Sequence, residues 1–238
     1  MHNQRSNRHR VSTFQEYLKQ IVYGGNDGIV TTFAIVAGFA GAGADGAAQV
    51  GAVAVLLFGV ANLLADATAM GLGEFLSARS QQDVYDATHQ NEIAAISNDP
   101  ENGRETMMAN LAARGVSDQD AAQLTDVMLR NPEFMADFLM QYDLGMANPS
   151  SSSATMNGLV TFVAFLIWGS VPLIPYFLFD PTQSTFSLSV AATFAALASL
   201  GLLRWKVTNE TMLRCVGETL IVGGICALVA FGVGMIFR

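Results

Sequence analysis

Asn62, Asp66, Met70 and Glu74 recur every fourth residue in ANLLADATAMGLGEFL, residues 61–76, where an apolar run that begins near Gln49 comes to its end. On a helix that spacing makes one slowly drifting stripe, each step turning about 40° and rising about 6 Å. An amide, two carboxylates and a thioether on one face form a ladder of ligands for a divalent cation. The bland alternative is that Asn62 and Asp66 only hydrogen-bond to neighbouring helices. Cost favours the first reading. An aspartate at the centre of a membrane helix costs roughly 2.5–3.5 kcal/mol on insertion scales, so it faces a partner, a cavity or an ion path.

Other apolar runs carry acids at a matching depth. At a rise of about 1.5 Å per residue, Asp27 in the run 21–44, Met70 in the second run and Glu218 in the run 212–237 all lie about 8–9 Å inside one end. Asp66 is a turn deeper and Glu74 a turn shallower. Oxygen ligands alone suit Mg²⁺ or Ca²⁺; the thioether moves the preference toward Fe²⁺, and the carboxylates keep Mn²⁺ in play. Carboxylates lose their protons before they bind a cation, so metal and proton compete for the same atoms. Proton-coupled exchange is the mechanism that follows, with Asn26, Asn62 and Glu218 as proton-handling or auxiliary groups.

The stretch 77–150 is acidic and methionine-rich. Asp83, Asp86, His89 and Glu92 come every three residues, and Glu133, Asp137 and Met140 share a stripe at i, i+4, i+7. Residue by residue, a solvated face over a methionine-containing core is the better reading. Beside a membrane cation path, the ensemble reads as a capture domain. His2 and His9 sit in the basic tail and His89 stands alone, so spacing makes no zinc site. There is no HExxH, CxxC, P-loop or Ser/His/Asp arrangement, which leaves hydrolytic and redox enzymes without support and no cofactor to expect.

The elements that position these residues are helices in a membrane. Of 238 residues only 13% are charged, about half the ~25% of a soluble domain, and 51% are hydrophobic. The net charge of −8 excludes nucleic acid as a partner. Cys215 and Cys226 lie about 16 Å apart on one helix, too far for a disulfide. The expected fold is all-α, with five transmembrane helices in 21–44, 49–76, 155–179, 185–203 and 212–237. The domains then run 1–20 (a polar N-terminal tail with no removable signal), 21–76 (spans one and two), 77–150 (a helical insert) and 151–238 (spans three to five). Arg and Lys cluster before span one, in the insert and between spans four and five. The positive-inside rule therefore puts the N-terminus and the insert in the cytoplasm and the C-terminus outside or in a lumen. Within the insert, Asn98-Asp99-Pro100, Gly115, Ser117 with Asp120, Asn131-Pro132 and Gly145 mark helix ends and caps.

YGGNDGIVTTFAIVAGFAGAG at 23–43, AMGLGEFLSARS at 69–80 and ETLIVGGICALVAFGVG at 218–234 resemble stretches of the vacuolar iron transporter family, over about 21–238. The resemblance implies five transmembrane helices, a cytoplasmic metal-binding insert, and a homodimer with the ion path near the subunit interface. It also implies export of Fe²⁺ or Mn²⁺ from the cytoplasm against protons. Asp27 and Met70 match the family's pathway aspartate and methionine, and Glu74 lies in the same signature. In the insert Glu92, Met140 and Asp143 match family metal ligands, while Ala95, Leu139, Gly103 and Thr106 depart from them; Glu101 and Glu105 are possible substitutes after a small shift. The expected function is a proton-coupled transporter, in a bacterial inner membrane or a vacuole-like one. The runner-up is a membrane sensor that signals metal level through the insert.

Overall fold

The computed structural model describes residues 13–42, 48–149, 153–179, 182–208 and 210–236. The tail up to residue 12, the loop around Asp45 and the Asp180-Pro181 turn lie outside them. Among the described residues every regular element is a helix. A short α1 (Thr13–Glu16) leads into α2 (Leu18–Gly41) and then α3 (Ala48–Asn98), one helix of 51 residues. Next come α4 (Pro100–Ala113), α5 (Asp118–Leu129) and α6 (Pro132–Tyr142). The chain ends with α7 (Ala154–Gly169), a 3₁₀ turn at Val171–Leu173, α8 (Ile174–Leu178), α9 (Gln183–Val207) and α10 (Met212–Ile236). Two compact units result, Met1–Phe75 with Ala154–Arg238, and Leu76–Ser153.

In the first unit, α2 packs along α7, α10 and α9 and buries Ile29, Phe33, Val36 and Ala37. Four stretches of described residues are long and apolar enough to cross a membrane: Val53–Asn98, Ala154–Leu178, Ser184–Val207 and Met212–Ile236. A bilayer needs about 20 residues, so the apolar part of α3 alone suffices. With its 24 residues α2 has the length, but Lys19, Asn26 and Asp27 in its first half dilute its hydropathy and it is not among the four.

Helices in lipid gain nothing by hiding apolar surface from one another, so they associate through close backbone approach over small residues. A Cβ on Gly28 would stand 2.6 Å from the Phe165 carbonyl oxygen, and one on Gly158 would stand 2.5 Å from that of Gly71. No side chain fits at either crossing. Several hydroxyls bond within their own helices: Thr31, Thr161, Thr193 and Thr219 each donate to the carbonyl four residues back. Where Pro172 breaks the third apolar run, Ser189 Oγ of α9 donates to the Pro172 carbonyl at 2.6 Å. That bond answers a backbone acceptor that the interrupted helix leaves over.

The second unit is built as a small water-soluble domain is. Ile96, Met107, Leu111, Met128, Met135 and Leu139 form its core. Asp99 caps α4 by accepting from Asn102 N at 3.1 Å, and Ser117 caps α5 by accepting from Asp120 N at 3.3 Å. Asn131 stands at the N-cap position of α6 but does not cap it; its amide donates to the Val127 carbonyl at 2.9 Å instead. Gly115 and Gly145, both at positive φ, close off α4 and α6.

Candidate functional site

The buried positions of α3 within the first unit are Val55, Gly59, Leu63, Ala67 and Gly71, every fourth residue. Asn62, Asp66, Met70 and Glu74 run beside them, each half-buried. They follow the border between the packed face and an exposed face bearing Leu57, Leu64, Leu72 and Leu76. Asn62 Nδ2 donates to Asp66 Oδ2 at 2.6 Å, so these two bond to each other along α3. Asp66 in turn lies within electrostatic reach of Asp27 on α2. Two carboxylates within such reach repel unless a proton or a cation sits with them. Glu74 accepts from Gln20 Nε2 of α2 at 3.2 Å. Met70 packs against the cluster of Leu63, Ala67 and Phe165.

Glu218 has different company. With Asn26, Lys19, Tyr23, Arg204 and Thr219 it lines a recess of about 790 Å³ between α2, α9 and α10. Its Oε2 lies 3.1 Å from Arg204 Nη2 and its Oε1 3.1 Å from Arg214 Nε, so its charge is compensated twice. Asn62 lines a separate, almost wholly apolar groove of about 710 Å³ with Ala34, Gly38, Phe39, Phe58 and Gly234. Among the described residues no three of His, Cys, Asp and Glu gather around one point. The acids of the predicted stripe and depth level thus have separate company: Asp27 with Asp66, Glu74 with Gln20, and Glu218 with its arginines.

In the second unit Met140 is fully buried and Glu92 half-buried. Asp143 Oδ1 accepts from Asn110 Nδ2 at 2.9 Å. Arg114 lies 5.0 Å from the centre of the Tyr142 ring and also donates to the Asn110 and Tyr142 carbonyls. Glu101 and Glu105 are exposed on α4. The stripe Glu133, Asp137, Met140 divides: the two acids are exposed, while Met140 joins Met135, Ala136 and Leu139 on the inward face of α6.

His89 does not stand alone. Its Nε2 lies 3.0 Å from Asp137 Oδ1, and Tyr85 donates to that same oxygen at 3.4 Å. Sequence reasoning passed over Arg204, Gln20 and the His89–Asp137 pair. The i, i+4 spacing of Glu210, Arg214 and Glu218 was the available sign that Glu218 is compensated. Nothing in the spacing joins α3 to α6.

Among the described residues every element is a helix, and four stretches are long and apolar enough to cross a membrane, as in a helical membrane protein. The family profile described as "VIT family" matches residues 18–235, and the chain belongs to that family. It is 31% identical over 222 residues to vacuolar iron transporter 1 of Arabidopsis thaliana, covering 92% of this chain and 85% of the relative. It is also 31% identical over 236 residues to a vacuolar iron transporter of Toxoplasma gondii, with 95% and 76% covered. A vacuolar iron transporter of Plasmodium berghei is 30% identical over 246 residues, with 100% and 88% covered.

Proposed function

We propose that this protein is a proton-coupled transporter that moves Fe²⁺ or Mn²⁺ out of the cytoplasm. One observation carries the reading: Asp27 and Asp66, from two different helices of an apolar bundle, lie within electrostatic reach of each other. A dehydrating divalent ion finds two carboxylates there, with Asn62 bonded to one of them and the Met70 thioether a turn along the same stripe. Protons occupy the same oxygens when the ion leaves, which couples the two flows. Glu74 and Glu218 serve at the cytoplasmic mouth, with Asn26 beside Glu218 on the wall of the recess. Glu92, Met140 and Asp143, with Glu101 and Glu105, make the insert a collector.

In this reading α2 is the fifth span, α3 to α6 place the insert in the cytoplasm, and two copies meet across the ion path. The membrane is vacuole-like or a bacterial inner membrane. Membership of the VIT family and relatives named vacuolar iron transporters support transport and iron. The sensor reading is not favoured, since it leaves the half-buried acids of the bundle without a role.

Proteoliposomes holding the whole protein test this directly. Flux of Fe²⁺ and Mn²⁺, compared with Co²⁺ and Zn²⁺, rises with an opposing proton gradient and is abolished in Asp27→Ala. Undiminished flux in Asp27→Ala takes that residue out of the mechanism, and flux indifferent to pH removes the proton coupling.

A further inference from the structure

We propose that the recess beside Glu218 binds the headgroup of a phospholipid carrying a primary ammonium, phosphatidylethanolamine in the simplest case. Its wall bears two exposed charges of opposite sign, Glu16 at the end of α1 and Lys19 in the first turn of α2. Among the described residues neither is engaged in an ion pair or a hydrogen bond. Glu218 on the same wall is held by Arg204 and Arg214, so its charge does not repel an anion. Arginine has five N–H donors, and Arg204 spends two of them, on Thr219 and Glu218. Tyr23 adds an exposed phenol. A phosphate there meets Lys19, the spare N–H groups of Arg204 and the Tyr23 hydroxyl, while an ammonium meets Glu16. Free charges of both signs suit a zwitterion better than a simple anion.

The position of the recess makes the ligand a lipid. It lies where α2 and α10 begin and α9 ends, the end of the bundle at which Lys19, Arg204, Lys206 and Arg214 gather. Basic pockets between membrane helices at that level take phospholipid headgroups, and tyrosine anchors there. From Val222 on the recess wall, exposed Ile221, Ile225, Leu228 and Val229 continue along one face of α10. That strip rises about 12 Å from the recess into the apolar belt, the course an acyl chain follows from its phosphate. A soluble zwitterion has no use for it. The carboxylate of Glu16 distinguishes among headgroups: a primary ammonium donates a charge-assisted hydrogen bond to it, and a trimethylated one has no proton to give.

The inference goes beyond the transport reading and stands whether or not the bundle moves metal; it asks only that the bundle sit in a bilayer. Native mass spectrometry of the full-length protein, delipidated in detergent and titrated with lipid, tests it. Each chain is expected to hold one phosphatidylethanolamine about tenfold more tightly than phosphatidylcholine with the same acyl chains. Glu16→Gln erases that preference. Lys19→Gln weakens both lipids about tenfold by removing a charge from the phosphate. Both changes fall at exposed positions, so the fold survives them. Lys206→Gln removes the same charge from the same end of the bundle but outside the recess, and leaves both affinities as they were. Equal binding of the choline lipid, a preference that survives Glu16→Gln, or unchanged affinity in Lys19→Gln overturns the proposal. So does a loss in Lys206→Gln as large as that in Lys19→Gln, or soluble phosphoethanolamine competing as strongly as the lipid.

Discussion

In the unit formed by Met1–Phe75 and Ala154–Arg238, Asp27, Asp66 and Glu74 sit half-buried between or beside packed helices. In Leu76–Ser153 most acids lie on the surface or tie off helix ends. Asp99 caps α4, Asp126 pairs with Arg104, and Asp143 is held by Asn110. The packing reverses in step. The first unit brings backbones together at Gly28 and Gly158, and the second fills its interior with Met107, Met128 and Met135. A carboxylate in water costs almost nothing to keep, so acid-rich sequence in the insert is weak evidence for chemistry. Inside an apolar bundle each one is expensive, and a few count for more than many outside.

Three substitutions put that contrast at risk. The largest effect belongs to Gly28→Val, whose new side chain meets the Phe165 carbonyl. It costs upward of about 3 kcal/mol and leaves no monodisperse bundle on size-exclusion chromatography. Met135→Ala, at a fully buried site of the insert core, costs about 2–5 kcal/mol. Hydrogen exchange is expected to place that loss in α4 to α6 and spare the amides of α2. If α2 loosens equally, the two units are one cooperative body and the comparison fails. Asp99→Ala removes the α4 cap and costs about 1 kcal/mol, read as faster exchange in the first turn of that helix only.

Much of the fold is legible in the chain because its signals are local. Apolar runs mark α3, α7, α9 and α10; Pro172 marks the break after α7; Gly115 and Gly145 mark the ends of α4 and α6. The stripe on α3 was readable too, since four residues at i+4 spacing share a face whatever surrounds them. What faces the stripe was not readable. Period places Asp66 on an edge of α3 but is silent on whether Asp27 or a leucine stands opposite. Glu218 shows the same limit: its depth matched that of Asp27, yet Arg204 arrives from another helix to hold it. Asn131 failed for a third reason: its position called for a cap, and after folding its amide bonds the Val127 carbonyl instead.

The contact of Gly28 with Phe165 and Gly169 brings two main chains together with no side chain of α2 interposed. Sliding α2 by one residue would drive the Cβ of Asp27 or Ile29 into the Phe165 carbonyl, and the Trp168 ring already fills the notch at Gly25 one turn away. The missing side chain therefore works as a detent that fixes the register of the two helices.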